Sequence, residues 1–289
     1  MLTAMACRDA KRRTPSGDGP SDWNITQKRM ELNLKRPLIV FDLETTGLDL
    51  VNDRIIQISY IKVFPDGKED RENLFVNPQK PIPQEVQALT HIAQSDVEGA
   101  PTFKELAPRL AETFRGCDFC GFNSNKFDVP MLSEEFSRAQ VPFDFSESLL
   151  VDAQNIFHKM EDDFQSHRAD QDAEATLRVL KGQLDMYAPG MQDEADRVLN
   201  NDIKELAEFS KMNDNVDFAG RIIWKEFTDA EGKVCRREVF NFGQHRGEAV
   251  ADVVRNDPGF ISWMLSRDFT YDTKNVVNRI RLREAYKNK

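Results

Sequence analysis

Four consecutive apolar residues, Leu38-Ile39-Val40-Phe41, run directly into Asp42-Leu43-Glu44-Thr45-Thr46-Gly47. An unbroken apolar run of that length suits a strand covered on both faces, and such strands belong to sheets with helices packed on either side. Residues i and i+2 of a strand share a face, so Asp42 and Glu44 set two carboxylates side by side where the strand ends. Like charges so close repel, and a divalent cation is the usual relief; hard oxygen donors suit magnesium or manganese. An exposed charge pair at a strand end is the competing reading of the same residues.

Downstream, the pattern predicts strands over Arg54 to Val63, near Glu72 to Val76, over Cys117 to Phe122 and at Leu149 to Val151. Helical spacing covers Phe103 to Phe114, Phe127 to Ala139 (with Pro130 in the first turn) and Ala169 to Leu184. A meander followed by alternating strands and helices predicts an α/β fold with a mixed β-sheet flanked by helices over residues 37–187. Residues 1–36 are polar and rich in turn formers, which predicts a disordered extension: a solvated tail, with Met30 as a second start, or a basic arm. Residues 188–216 read as a charged helical linker. Residues 217–289 read as a small α+β C-terminal domain, with a hairpin around Asp229-Ala230-Glu231-Gly232 and three short helices.

Composition narrows the function classes. No apolar stretch reaches the roughly 18–20 residues of a membrane-spanning helix, so no membrane association is expected. Four cysteines in 289 residues are too few for a disulfide framework, which points to a reducing, cytoplasmic setting. A formal net charge of -10 excludes a nucleic-acid coat protein. It leaves open an enzyme that meets nucleic acid at one site through local charge and bound metal.

Two more acidic sites can join Asp42 and Glu44. Asp128 follows the Cys117 to Phe122 strand and opens a helix, where the helix dipole alone would also favour a carboxylate. His167-Arg168-Ala169-Asp170-Gln171-Asp172 precedes the apolar spacing of Ala173, Ala175 and Leu177. On one helix, residues five apart sit about 140° apart, so His167 and Asp172 converge only if His167 lies in the preceding loop. Taken alone, such a histidine is an ordinary surface residue.

Asp42, Glu44, Asp128 and Asp172, with His167, match in order and local spacing the DEDD 3'–5' exonucleases that carry a histidine in the third motif. The stretch Leu38 to Leu184 resembles the epsilon proofreading subunit of bacterial DNA polymerase III and its relatives. Leu89-Thr90-His91-Ile92 and Gly99-Ala100-Pro101-Thr102-Phe103 look like the segment between that family's first two motifs. Phe240 to Gly247 and Asp257 to Met264 are similar to the C-terminal domain of exodeoxyribonuclease X-like proteins.

The resemblance implies a ribonuclease H-like fold and hydrolysis of phosphodiesters at DNA 3' ends, releasing nucleoside monophosphates in proofreading or repair. Two divalent cations, Mg2+ or Mn2+, about 3.5–4 Å apart, would be held by Asp42, Glu44, Asp128 and Asp172. His167 would take the proton of the attacking water. Thr45 and Thr46 would contact the terminal nucleotide. The implied partners are nucleic acid with a free 3' end, single-stranded DNA above all, and a DNA polymerase or repair complex.

One departure stands out: only Glu161 to Ser166 join Met160 to His167, where relatives carry an extra helix and loop. The shortening bears on how His167 is held and leaves as one alternative a 3'-end-binding adaptor with weakened catalysis; the other, an exoribonuclease of the same superfamily, uses the same acids. Among lesser candidates, Cys117 and Cys120 read as core thiols and Asp152 as a strand-end residue near the site. Trp263 reads as core rather than as a base-stacking platform. Arg246, Arg267, Lys274 and Arg279 read either as a path for phosphates or as a solvated face.

Overall fold

The computed structural model describes residues 31–160, 173–189, 198–211, 213–228 and 232–287. Strand β1 (Leu38–Thr45) is central in a five-stranded sheet with β2 (Ile55–Val63), β3 (Glu69–Phe75), β4 (Asp118–Gly121) and β5 (Leu150–Asp152). The order is β3-β2-β1-β4-β5. The first three strands form an antiparallel meander, while β4 and β5 run parallel to β1. This mixed order, with helices on both faces, is the ribonuclease H-like arrangement.

The apolar run of β1 serves two cores at once because its side chains alternate. Ile39, Phe41 and Leu43 join a cluster beneath α3 (Phe103–Phe114) and α4 (Asp128–Arg138). Leu38 and Val40 join a second cluster on the opposite face, with α5 (Ala153–Met160), α6 (Ala173–Met186) and α7 (Ile203–Ser210). The first cluster is rich in rings packed edge to face, among them Phe41, Phe114 and Phe119. Helix α3 begins with a capping box, Thr102 and Glu105 bonding each other's backbone N–H, and it tolerates Pro108 in its interior.

Two helices depart from the sequence reading. Helix α5 leaves β5 directly, over residues 153–160 to which the sequence reading assigned no element; the shortened stretch Glu161 to Ser166 lies outside the described residues. Within the stretch read as a linker, α7 caps itself with Asp202 and sinks Ile203, Leu206 and Ala207 into the second cluster. Its charged residues face outward, and charge alone hid its apolar stripe. The expected N-terminal extension falls mainly on residues 1–30, outside the described residues.

Near the C-terminus, β6 (Ile222–Thr228) and β7 (Val234–Phe240) pair as an antiparallel hairpin. They share a separate core with α8 (Val250–Asn256), α9 (Pro258–Ser266) and α10 (Tyr271–Lys287). This unit is fastened to the large sheet's helical layer. The Tyr271 N–H donates to Glu134 of α4, and Phe218 packs its ring against Phe145 at 6.3 Å. The Phe218 N–H in turn donates to Asp272 at 2.7 Å.

Candidate active site

The carboxylates of Asp42 and Glu44 share the face of β1 that carries Leu38 and Val40, and both are half-buried at the strand's C-terminal end. Helix α6 packs on this same face of the sheet, and its first residue, Ala173, belongs to the apolar cluster there. Burial holds the Glu44 carboxyl above its ordinary range. Next to them, α4 brings in Asp128, whose Oδ1 accepts the backbone N–H of Leu43 at 3.2 Å. Asp128 is buried; its burial, and then the neighbouring charge of Asp42, push its carboxyl well above the usual carboxylate range.

The loop that delivers Asp128 is held in turn by another acid. Asp152, fully buried at the end of β5, accepts the N–H of Asn123 at 3.0 Å and of Asn125 at 3.2 Å. It also accepts the N–H groups of Gln154 and Asn155 at 3.1 and 3.3 Å, opening α5. Its own N–H donates to Ser210 of α7 at 3.1 Å. Between these anchors the chain turns at Asn123 with φ 60°, a left-handed conformation asparagine adopts more readily than most residues. Gly121 has no side chain to obstruct Ser124, which folds back beneath the turn; a Cβ there would collide with it. Asp152 thus organises the loop from the far strand, a role whose partners lie too far along the chain for sequence patterning to reveal.

The turn after β1 is also closed on itself. Thr45 Oγ1 donates to the Gly47 carbonyl at 2.7 Å, and Thr46 Oγ1 donates to Asp53 at 2.8 Å while accepting the Arg54 N–H at 3.1 Å. Lys80 completes the clamp on Asp53 at 3.1 Å. A side chain at position 47 would run into the Asp53 carboxylate, which is why the turn needs glycine. Both threonines are buried, and their hydroxyls hold the turn.

Asp42, Glu44 and Asp128 therefore come together at one end of β1. His167 and Asp172 lie outside the described residues. Among the described residues, no group of three or more His, Cys, Asp or Glu side chains is arranged to hold one ion. The donor chemistry still fits a hard divalent cation: the acids present are oxygen donors, and the repulsion between Asp42 and Asp128 is what a cation would relieve. Of the lesser candidates, Cys117 and Cys120 are buried in the core as expected. Trp263 is not: it is 44% exposed, because only Ile261 and Met264 of α9 point into the C-terminal core.

Residues 39–180 match the family model described as Exonuclease, and residues 240–267 match the Exodeoxyribonuclease X-like C-terminal model. The first stretch includes Asp42, Glu44, Asp128, His167 and Asp172. Over 150 residues the chain is 32% identical to a DNA polymerase III PolC-type from Caldanaerobacter subterraneus, covering 52% of this chain and 10% of the polymerase. It is 28% identical over 158 residues to the 3'-5' exonuclease DinG of Staphylococcus epidermidis, covering 49% of this chain and 17% of that protein. The chain thus spans a small part of the length of either relative. E. coli Exonuclease I in complex with a dT13 oligonucleotide superposes with a TM-score of 0.44 and 16% identity, over 52% of this chain and 41% of that one.

Proposed function

We propose that the chain is a metal-dependent 3'–5' exonuclease that hydrolyses the terminal phosphodiester of single-stranded DNA and releases nucleoside monophosphates. The observation that carries this reading is the shared position of Asp42, Glu44 and Asp128 at the C-terminal end of β1, within the stretch that matches the exonuclease model. In this reading Asp42, Glu44, Asp128 and Asp172 hold two divalent cations, Mg2+ or Mn2+. Such cations, when bound, acidify the attacking water and stabilise the leaving 3' oxygen. His167 accepts the water's proton, a task suited to an imidazole whose unperturbed pKa is about 6.5. Asp152 keeps Asp128 in place by fixing the loop before it. The closed turn at Thr45 and Thr46 gives the terminal nucleotide a rigid wall.

The relatives' names, polymerase type and exonuclease alike, support a setting in DNA replication or repair, with a polymerase or repair complex as partner. Among the described residues no helix is long and apolar enough to cross a membrane. The free, buried thiols of Cys117 and Cys120 support a reducing, cytoplasmic setting.

Matched single-stranded DNA and RNA oligomers with free 3' ends, incubated with Mg2+ or Mn2+, test the assignment. DNA should be shortened faster than RNA, a chelator should stop the reaction, and His167→Ala should slow it roughly 10²–10⁴-fold. Faster loss of RNA would reassign the substrate. Tight binding without cleavage, at a level indifferent to His167→Ala, would make the chain an adaptor instead.

A further inference from the structure

The C-terminal unit carries an open aromatic surface that the chemistry at β1 does not use. Phe242, Phe260 and Trp263 follow one another with ring faces tilted rather than crossed. Phe242 and Phe260 are 6.2 Å apart at 36°, and Phe260 and Trp263 5.5 Å apart at 32°. Phe269 closes the far side, 5.8 Å from Trp263. The outermost ring, Trp263, is 44% exposed, whereas ordinary core aromatics of this protein such as Phe41 and Phe119 are almost completely covered. The three neighbouring rings are partly buried against the C-terminal core and hold the indole with its face in reach of solvent.

Charge around the rings is sorted. The guanidinium of Arg221 sits 5.4 Å over the Phe242 ring, Arg246 is exposed on the turn before α8, and Arg267 is exposed on the turn after α9. No ion pair engages these three arginines among the described residues. Two acids nearby bond His245, whose ring nitrogens meet Glu248 at 3.2 Å and Asp257 at 3.1 Å, while Asp268 is exposed beside Arg267. Asp257 also accepts the Phe260 N–H at 2.9 Å, so the histidine fixes the start of the helix that bears Phe260 and Trp263. His245 lies edge-on to Phe260 at 4.6 Å. Residues 217–289 hold 14 Lys and Arg against 11 Asp and Glu, in a chain of net charge -10.

The C-terminal unit is joined to the helix that carries Asp128. Phe269 is two residues from Tyr271, which bonds Glu134, and Glu134 is six residues, about 9 Å, along α4 from Asp128.

The geometry points to a second nucleic-acid site: the exposed ring of Trp263, backed by Phe260 and Phe242 and edged by Arg221 and Arg246, binds single-stranded DNA several nucleotides back from the 3' end. A base stacks on Trp263 and phosphates follow the arginines, a combination that tolerates any sequence. The identity of the ligand rests on the exonuclease reading; the surface itself does not.

Binding measured in EDTA separates the two. Fluorescence anisotropy with the full chain and 5'-labelled dT16 and dT4 should show Trp263→Ala weakening the Kd for dT16 roughly tenfold, the scale of one lost base–aromatic stack. On dT4 the loss should be much smaller, since a strand that short cannot occupy both sites. Trp263→Phe should recover most of the affinity. Arg221→Gln with Arg246→Gln should weaken dT16 binding and flatten its salt dependence. Equal affinity of parent and Trp263→Ala for dT16 would overturn the proposal, as would a loss of equal size on dT4. So would a parent dimer that Trp263→Ala turns into a monomer without changing dT16 affinity. If the parent digests no strand in Mn2+ while the length-dependent loss holds, the exonuclease reading fails and the binding face stands.

Discussion

At the end of β1 the side chains that crowd together are acids, pressed close and half-buried or buried; on α9 and its flanking turns they are rings, with arginines standing clear of any carboxylate. Acids gather in the C-terminal unit as well, at Asp217 and Asp272, and the contrast with Asp42 and Asp128 is instructive. Asp217 accepts the Ile222 N–H at 2.7 Å and the Thr273 hydroxyl, and Asp272 accepts the Phe218 N–H at 2.7 Å. Those bonds tie loop 217–222 to α10, so the repulsion between Asp217 and Asp272 accompanies a structural gain. Asp128 accepts the Leu43 N–H, and after burial the charge of Asp42 pushes its carboxyl further up, at the same end of β1 as Glu44. Such crowding of like charges is what a bound divalent cation would relieve.

That difference is breakable by substitution. Asp42→Asn should lower exonuclease turnover on the order of a thousandfold, the several kcal/mol that metal-assisted stabilisation supplies. In EDTA the same variant should melt no lower than the parent, because the repulsion on Asp128 has been removed. A large fall in melting temperature would mean that Asp42 is a structural acid like Asp217.

Asp152→Ala probes an acid of the opposite kind. Four backbone N–H groups lose their acceptor, a cost of about 3 kcal/mol in denaturant unfolding. Turnover should fall on the order of a hundredfold as Asp128 loses its register. Full turnover with the stability loss intact would detach Asp152 from the site.

In the C-terminal unit, burial and then the charge of Asp217 push the Asp272 carboxyl up to about 6. Its folded pKa lies above the unfolded value near 3.9, so the folded chain binds more protons between these limits, and stability falls as pH rises through the window. Asp272→Asn should therefore match the parent near pH 4 and exceed it by on the order of 2 kcal/mol at pH 8. Thermal melts of both proteins at the two pH values check this, and equal stability at pH 8 would count against the crowding. The smallest effect is expected at the turn, where Thr46→Val removes one hydroxyl bridging Asp53 and the Arg54 N–H. About 1 kcal/mol of stability should be lost.

What the amino-acid sequence shows and what it hides follow one division. β1 is legible because an apolar run ended by two acids has few other uses, and α3 and α4 because their apolar residues keep helical spacing. The seven-residue α1 (Gln84–Thr90) and five-residue α2 (Gln94–Glu98), spanning the family-like segment around His91, are too short to show a period, and α1 buries nothing. Helix α5 escapes notice because it starts at the residue after β5, with no turn formers between. Among the site residues, Asp42, Glu44 and Asp128 stand out by local context. Asp152 is legible as a strand-end acid near the site, but its role is not, because the N–H groups it holds at 123 and 125 come from another strand's loop. Trp263 misleads for the same reason: apolar character is local, whereas the absence of anything to cover it is decided by the packing of α8, α9 and α10.

The most direct test of the central claim uses one single-stranded DNA carrying different labels at its two ends, incubated with the protein in Mn2+. The 3' label should leave first, as a nucleoside monophosphate, while the 5' label stays on a steadily shortening ladder; Asp42→Asn should produce neither change. Early release of the 5' label, cutting at internal positions, or an Asp42→Asn protein that digests at the parent's rate would contradict the assignment of the β1 carboxylates.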